Sequence, residues 1–236
     1  MPAGARAGES VMAHAATTHV RVNRSLLAQV ERHTLLWLAH RLPERMHSDH
    51  LTALAVVGTA IASLSFALAR FFPVALVGVV AGLALNWFGD SLDGTLARVR
   101  RQERPRYGYY VDHVLDVIGA TMLMGGMALS GLMTPLVALG VLVAYLLVSA
   151  EVFLSTAVGG EFRMSFVRVG PTELRIAISA LALALIQWPA ASLPGLGRVL
   201  LLDIVGMAAI AGLLTALGVS AVLMGRHLYV AEPRHR

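Results

Sequence analysis

The chain has 236 residues, 57% of them hydrophobic and 14% charged, with a formal net charge of +5 and a mean hydropathy of +0.70. A soluble domain carries nearer to about a quarter charged residues, and the apolar residues here fall in long runs, so the composition is that of an integral membrane protein. There is no cysteine and no lysine, which excludes disulfides, iron–sulfur clusters, cysteine–zinc sites and lysine-dependent Schiff-base or P-loop chemistry.

Residues 1–22 are small and polar and lack the continuous apolar core of a cleaved signal, so a flexible tail is expected there. One membrane domain is expected over 23–228, followed by a short cytoplasmic tail at 229–236. It opens on residues 24–41 (RSLLAQVERHTLLWLAHR), where arginines alternate with leucines and Trp37. That mixture predicts an amphipathic helix at the membrane surface. Six apolar segments follow, at roughly 51–69, 74–90, 108–131, 135–157, 172–188 and 199–225. Each is near the length that crosses about 30 Å of hydrocarbon at about 1.5 Å per residue. The second continues as helix through Arg98; the fifth is the shortest and opens with Glu173 and Arg175. The expected fold is an all-α integral membrane protein of six transmembrane helices behind one surface helix.

Arginine sets the orientation. Six spans leave both termini and the 99–107 and 158–171 loops on one side, with 17 of the 19 basic residues; the other side holds Arg70 and Arg198. Both termini are therefore expected in the cytoplasm, and the localisation expected is a prokaryotic cytoplasmic membrane. No inverted repeat or soluble module is visible, and no nucleic-acid partner is expected.

Charge concentrates between the second and third spans, in DSLDGTLARVRRQERPRYGYYVDHVLD, residues 90–116. An ionised carboxylate in a membrane helix costs about 2.5–3.5 kcal/mol on insertion scales, so four aspartates need compensation. Asp90, Asp93, Gly94 and Ala97 share one helical face, and Gly108, Asp112 and Asp116 share another. If Arg100 and Arg106 mark the membrane boundary, Asp93 and Asp112 lie about 10 Å deep and Asp90 and Asp116 about 15 Å. The short loop between the helices predicts antiparallel neighbours whose aspartates pair by level. Four converging carboxylates either take protons or recruit metal; all-oxygen donors suit Mg²⁺, with Mn²⁺ as a close competitor. Gly94, Ala97 and Gly108 leave room for a ligand, although such residues also serve close helix packing. Arg98 is placed to meet anionic oxygens. Together these features fit a pyrophosphate-containing substrate. Arg100, Arg101, Arg104 and Arg106 read as topology signals. A cation- or proton-coupled transporter is the alternative use of the same carboxylates, and a non-catalytic membrane scaffold leaves them unexplained.

The pattern resembles the signature of the CDP-alcohol phosphotransferase family, D-x2-D-G-x2-A-R, eight or nine residues, then G-x3-D-x3-D. Asp90, Asp93, Gly94, Ala97, Arg98, Gly108, Asp112 and Asp116 match its eight positions. The resemblance implies transfer of a phospho-alcohol from a CDP-linked donor to a hydroxyl acceptor with release of CMP. It implies a two-ion Mg²⁺ or Mn²⁺ centre on Asp90, Asp93 and Asp112, with Asp116 beside it as metal neighbour and general base. Gly94, Ala97, Arg98 and Gly108 would border the CMP. It also implies a possible homodimer. The donor is CDP-diacylglycerol or a CDP-aminoalcohol; Asp112-His113 and Gly170-Pro171-Thr172-Glu173 resemble the aminoalcohol subclass. Ser48-Asp49-His50-Leu51-Thr52 resembles the family's Pro-Asn-x-x-Thr, with Asp49 either touching nucleotide or capping a helix. His113 either lines the acceptor path or reaches the interface. Arg163, Arg168 and Arg175 either bind a phosphorylated acceptor or signal topology. Glu151, Glu173 and Asp203 carry no assignment from sequence.

Overall fold

The structure, a computed structural model, describes residues 28–159, 170–193, 195 and 197–232. The expected tail at 1–22, Arg163 and Arg168 lie outside the described residues, as do the last four of the expected C-terminal tail. Among the described residues seven helices run in order: α1 (Ala28–Arg41), α2 (Ser48–Leu68), α3 (Leu76–Val99), α4 (Pro105–Leu129), α5 (Pro135–Gly159), α6 (Pro171–Gln187) and α7 (Leu201–Ala231). Five helices are long and apolar enough to cross a membrane: α2, α3 with its leading 3₁₀ turn at Pro73–Ala75, α4, α5 and α7. The sixth expected span is α6, present but only 17 residues long. At about 1.5 Å per residue it reaches about 25 Å, short of the hydrocarbon thickness. The segment expected as a loop beyond it folds into a small antiparallel hairpin, β1 (Ala190–Leu193) on β2 (Gly197–Leu200), in which Ala190 faces Leu200. Among the described residues this is the one strand pair beside the helices.

The α2–α3 pair is the most extensive packing in the molecule, and small residues make it possible. A Cβ on Gly82 would lie 2.6 Å from both Ala62 N and Gly58 O, and one on Gly89 would press on Leu51 O and Ala55. The two backbones touch along this seam, as small-residue interfaces in membranes allow. α4 lies on the other side of α2. Ser63 donates to Met122 O at 2.5 Å, and Thr59 flanks Gly119. α2 runs antiparallel to α3 and parallel to α4, because rising numbers on α2 meet falling numbers on α3 and rising ones on α4.

Here the structure corrects an expectation. α3 and α4 are antiparallel, but they barely meet; each packs on α2 instead. The 100–104 connection joins their ends without drawing their faces together, and a gap opens between the two motif helices.

The ends of the bundle are tied by polar contacts. Arg100 donates to the carbonyls of Leu42, Pro43, Glu44 and Met46, so it is a clamp on the α1–α2 turn as well as a boundary charge. Asp49 pairs with Arg104. It does not cap α2: His47 holds that position, and the His50 ring accepts its N–H. At the other end, Thr134 donates its N–H and hydroxyl to Asp203, joining α5 to α7. Glu151 accepts the Ser155 and Ser220 hydroxyls and links the same two helices mid-span. Apolar clusters complete each end, one around Phe66, Val79, Met127 and Leu185, the other around Leu35, Ala39, Leu51, Leu92 and Leu96. In the second, one face of α1 packs on α3.

The glycine seam predicts an asymmetry between two alanine substitutions. Gly82→Ala forces backbone apart and is expected to cost about 1–3 kcal/mol. Gly125→Ala meets open space and adds helix propensity. Thermal unfolding in detergent checks this: a lowered midpoint for Gly82→Ala, an unchanged or raised one for Gly125→Ala.

Candidate active site

Asp90 and Asp93 stand three residues apart on α3, and each is held differently. Asp93 Oδ2 accepts the Thr52 hydroxyl from α2 at 2.7 Å, while its Oδ1 accepts the Gly94 N–H at 2.5 Å. Asp90 Oδ2 accepts Arg175 Nη2 of α6 at 2.5 Å. The same guanidinium donates through Nε to Asn86 Oδ1 at 2.7 Å. Asn86 in turn donates to Ala55 O at 3.1 Å and to Thr59 Oγ1 at 3.0 Å. One polar chain therefore crosses α6, α3 and α2 at the level of Asp90. The pair is partly shielded from solvent, with side chains 16% and 31% exposed, so the arginine offsets charge where water does so poorly.

The other two aspartates reach the same level through α2. Thr59 lies against Gly119. Two turns back along both parallel helices, Thr52 comes level with Asp112, and one turn later Val56 comes level with Asp116. Thr52 already holds Asp93, and Gly89, next to Asp90, presses on Ala55. Asp93 and Asp112 thus share one depth and Asp90 and Asp116 the next, the pairing expected from sequence, across a gap where a direct contact was expected. Asp90 and Asp112 are close enough for their charges to act on Asp93, and Tyr145 of α5 is within electrostatic reach of Asp116 and Asp112. Asp90, Asp93 and Asp112 are half-buried; Asp116 is exposed.

The small residues border open space. No atom lies within 4 Å of a Cβ built on Gly108, and the nearest to one on Gly94 is Arg98 Nη1 at 3.5 Å. Ala97 is half-buried on the same face. Arg98 is exposed and donates to Thr95 Oγ1 at 3.1 Å. His113 stacks on Tyr109, centroids 4.1 Å apart, and meets Phe153 of α5 edge-on at 5.2 Å. Glu173 accepts the Gly170 N–H at 3.0 Å and caps α6, which gives Gly170–Glu173 a helix-start role of its own.

Four carboxylates with neighbouring hydroxyl and amide oxygens form a donor set for a hard divalent cation. As the side chains stand, no three His, Asp or Glu groups among the described residues close around one point. Asp90 is turned to Arg175 and Asp93 to Thr52. The donor chemistry and the levels fit such an ion, and a carboxylate that accepts one hydrogen bond keeps lone pairs for a cation.

Sequence reasoning missed Asn86, Thr59, Tyr145 and the Arg175–Asp90 pair. Asn86 carried a signal, a lone amide in the apolar run LALNWFGD one turn before Asp90. Arg175 was visible as a charge at the start of a span, but its partner is 85 residues away.

The Thr52 contact is testable alone. Thr52→Val keeps shape and removes the donor to Asp93. With hydrogen bonds to charged groups worth about 1.5–3 kcal/mol, the thermal midpoint in detergent is expected to fall by several degrees, and Thr52→Ser to recover most of it.

A family model described as CDP-alcohol phosphatidyltransferase matches residues 46–223. No curated protein matches the chain.

Proposed function

We propose, from the premise that this chain belongs to the CDP-alcohol phosphatidyltransferase family, that it transfers a phospho-alcohol group from a CDP-linked donor to a hydroxyl acceptor and releases CMP. The family is one of phospholipid-biosynthetic transferases with CDP-alcohol donors, and its apolar helices are those of an integral membrane protein. The observation that carries the reading is the placement of all four motif aspartates, at two matched depths, around one gap between α3 and α4. Family membership lends no support to a transporter.

Each residue has a part in this reading. Asp90, Asp93 and Asp112 would hold two divalent cations, Mg²⁺ or Mn²⁺. When bound, such a pair stabilises both the attacking and the leaving oxygen of an in-line displacement. Asp116 is the exposed member of the four and the one an incoming hydroxyl meets. It takes the acceptor's proton as general base. The acceptor oxygen then forms a bond to the donor phosphorus nearest the alcohol, and the bond from that phosphorus to the CMP oxygen breaks. Gly94, Ala97 and Gly108 leave the space a cytidine nucleotide fills, and the exposed Arg98 guanidinium faces its phosphates. In this reading α6 is a short sixth span, α1 lies at the membrane surface, and the gap opens to the cytoplasm of a prokaryotic cell, where the donor nucleotide is. The chain works as a homodimer by family resemblance.

The donor is CDP-diacylglycerol or a CDP-aminoalcohol. Two short fragments pointed towards the second, but Gly170–Glu173 is accounted for by capping α6 and His113 by its aromatic stack. The panel of substrates stays open to both. CMP release by the purified protein decides it, with CDP-diacylglycerol offered against small alcohols, and CDP-choline and CDP-ethanolamine against diacylglycerol. One donor–acceptor pair is expected to turn over; release from none contradicts the reading.

Asp116→Asn is expected to abolish CMP release while divalent-cation binding largely survives; full activity of this variant contradicts the general-base role. Excess EDTA is expected to stop turnover and added Mg²⁺ or Mn²⁺ to restore it, as read by the same assay.

A further inference from the structure

Glu31 stands outside the carboxylate gap, yet one of its oxygens ties together the elements that form it. Glu31 Oε1 accepts the Trp87 indole N–H at 2.9 Å, the Ser91 hydroxyl at 3.2 Å and the Thr172 hydroxyl at 2.8 Å. Trp87 and Ser91 flank Asp90 on α3. Thr172 lies one turn before Arg175 on α6, on the same side of that helix. The two helices joined by the Arg175–Asp90 pair are therefore joined again, one turn away, through a side chain of α1.

The packing of α6 explains why a second tie matters. Its far half is anchored by apolar burial, with Ala182 and Leu185 in the core. Its near half has no buried apolar residue. There polar contacts hold α6 to other elements, Thr172 to Glu31 and Arg175 to Asp90 and Asn86, and Ile178 of the next turn packs half-buried on the core. α1 does not need Glu31 to dock, since Leu35 and Ala39 already bury against α3. α1 and α6 make no extended backbone contact, and the Glu31–Thr172 hydrogen bond joins them. A carboxylate taking three neutral donors makes charge-assisted hydrogen bonds, stronger than neutral ones.

We infer that Glu31 is a positioning residue for the transfer reaction: it fixes the near end of α6 on α3, so that Arg175 meets Asp90 and Asn86. The inference rests on the proposed function in taking Asp90 as part of the reacting site. Glu31 touches no reacting atom. Its loss leaves every motif residue in place and lets Arg175 drift from Asp90.

The test compares full-length wild type, Glu31→Ala, Glu31→Gln, Thr172→Val and the Glu31→Ala/Thr172→Val double variant. CMP release gives kcat and the donor KM; thermal unfolding in detergent gives the contact itself. Small displacements of reacting groups cost up to about 100-fold. Glu31→Ala is expected to lower kcat about 10- to 100-fold with donor KM within about twofold. Glutamine keeps an Oε1 acceptor, and Glu31→Gln is expected within about threefold of wild type on the same scale. The double variant is expected to unfold no lower than Glu31→Ala, because that substitution already removes the Thr172 contact. Wild-type kcat in Glu31→Ala overturns the inference, as does a Glu31→Gln as impaired as the alanine. Should Glu31→Ala fail to fold, Glu31→Gln and Thr172→Val decide: a normal kcat in Thr172→Val overturns it. A wild type that releases no CMP from any donor overturns the proposed reaction, and additivity in the unfolding cycle then separately overturns the Glu31–Thr172 tie.

Discussion

The site depends on one constraint: α2 packs against two helices at once. Towards α3 it offers Gly58, Ala55 and Ala62, which let backbone touch backbone; towards α4 it offers Thr59 and Ser63, the second of which donates to the Met122 carbonyl of α4. Both interfaces fix register. The first sets Asp93 beside Thr52, and the second sets Asp112 at the same depth. Because α3 and α4 both rest on α2 and barely on each other, their four carboxylates border a gap. Close packing between them would leave no room for a nucleotide. A cavity that must admit a charged ligand cannot be filled by its own walls, and the α2 spine keeps the walls in place without filling it.

Charge compensation is the second layer. Buried carboxylates without partners are costly, and here Asp90 and Asp93 are engaged from outside the motif. Arg175 reaches Asp90 from α6, and Thr52 reaches Asp93 from α2. Arg175 is also held by Asn86, itself bonded to α2. The polar groups of the membrane interior thus form a connected system, as the cost of unmet hydrogen bonds in a low dielectric requires. Elsewhere the same rule accounts for Asp203, which holds the start of α5, and Glu151, which takes two serine hydroxyls. These acids join helices and lie apart from the chemistry.

Much of this was legible in the sequence, for reasons that differ by element. The long helices follow from apolar length alone. The depths of the aspartates follow from helical rise, since Asp90, Asp93, Asp112 and Asp116 sit on single helices where spacing converts directly to distance. What could not be read is which helix faces which. A short loop makes α3 and α4 adjacent in sequence, but the glycines at 58, 82 and 89 are what draw α3 to α2, and that preference needs three dimensions to see. The same holds for Arg175–Asp90 and for Glu31, whose partners lie 56, 60 and 141 residues away. Of the two readings of Asp49, the cap fails because His47 takes that place and Asp49 pairs with Arg104. The shortness of α6 was legible, because Glu173 and Arg175 stand at its start.

The central claim is that Asp90, Asp93 and Asp112, on two helices spaced by a third, form one divalent-cation site with Asp116 beside it. Electron paramagnetic resonance of Mn²⁺ titrated into the purified protein tests it most directly. Two coupled ions per chain are expected, as in other two-metal sites, with binding lost in both Asp93→Asn on α3 and Asp112→Asn on α4. Mn²⁺ binding that survives either substitution unchanged, or no specific binding at all, would contradict the account.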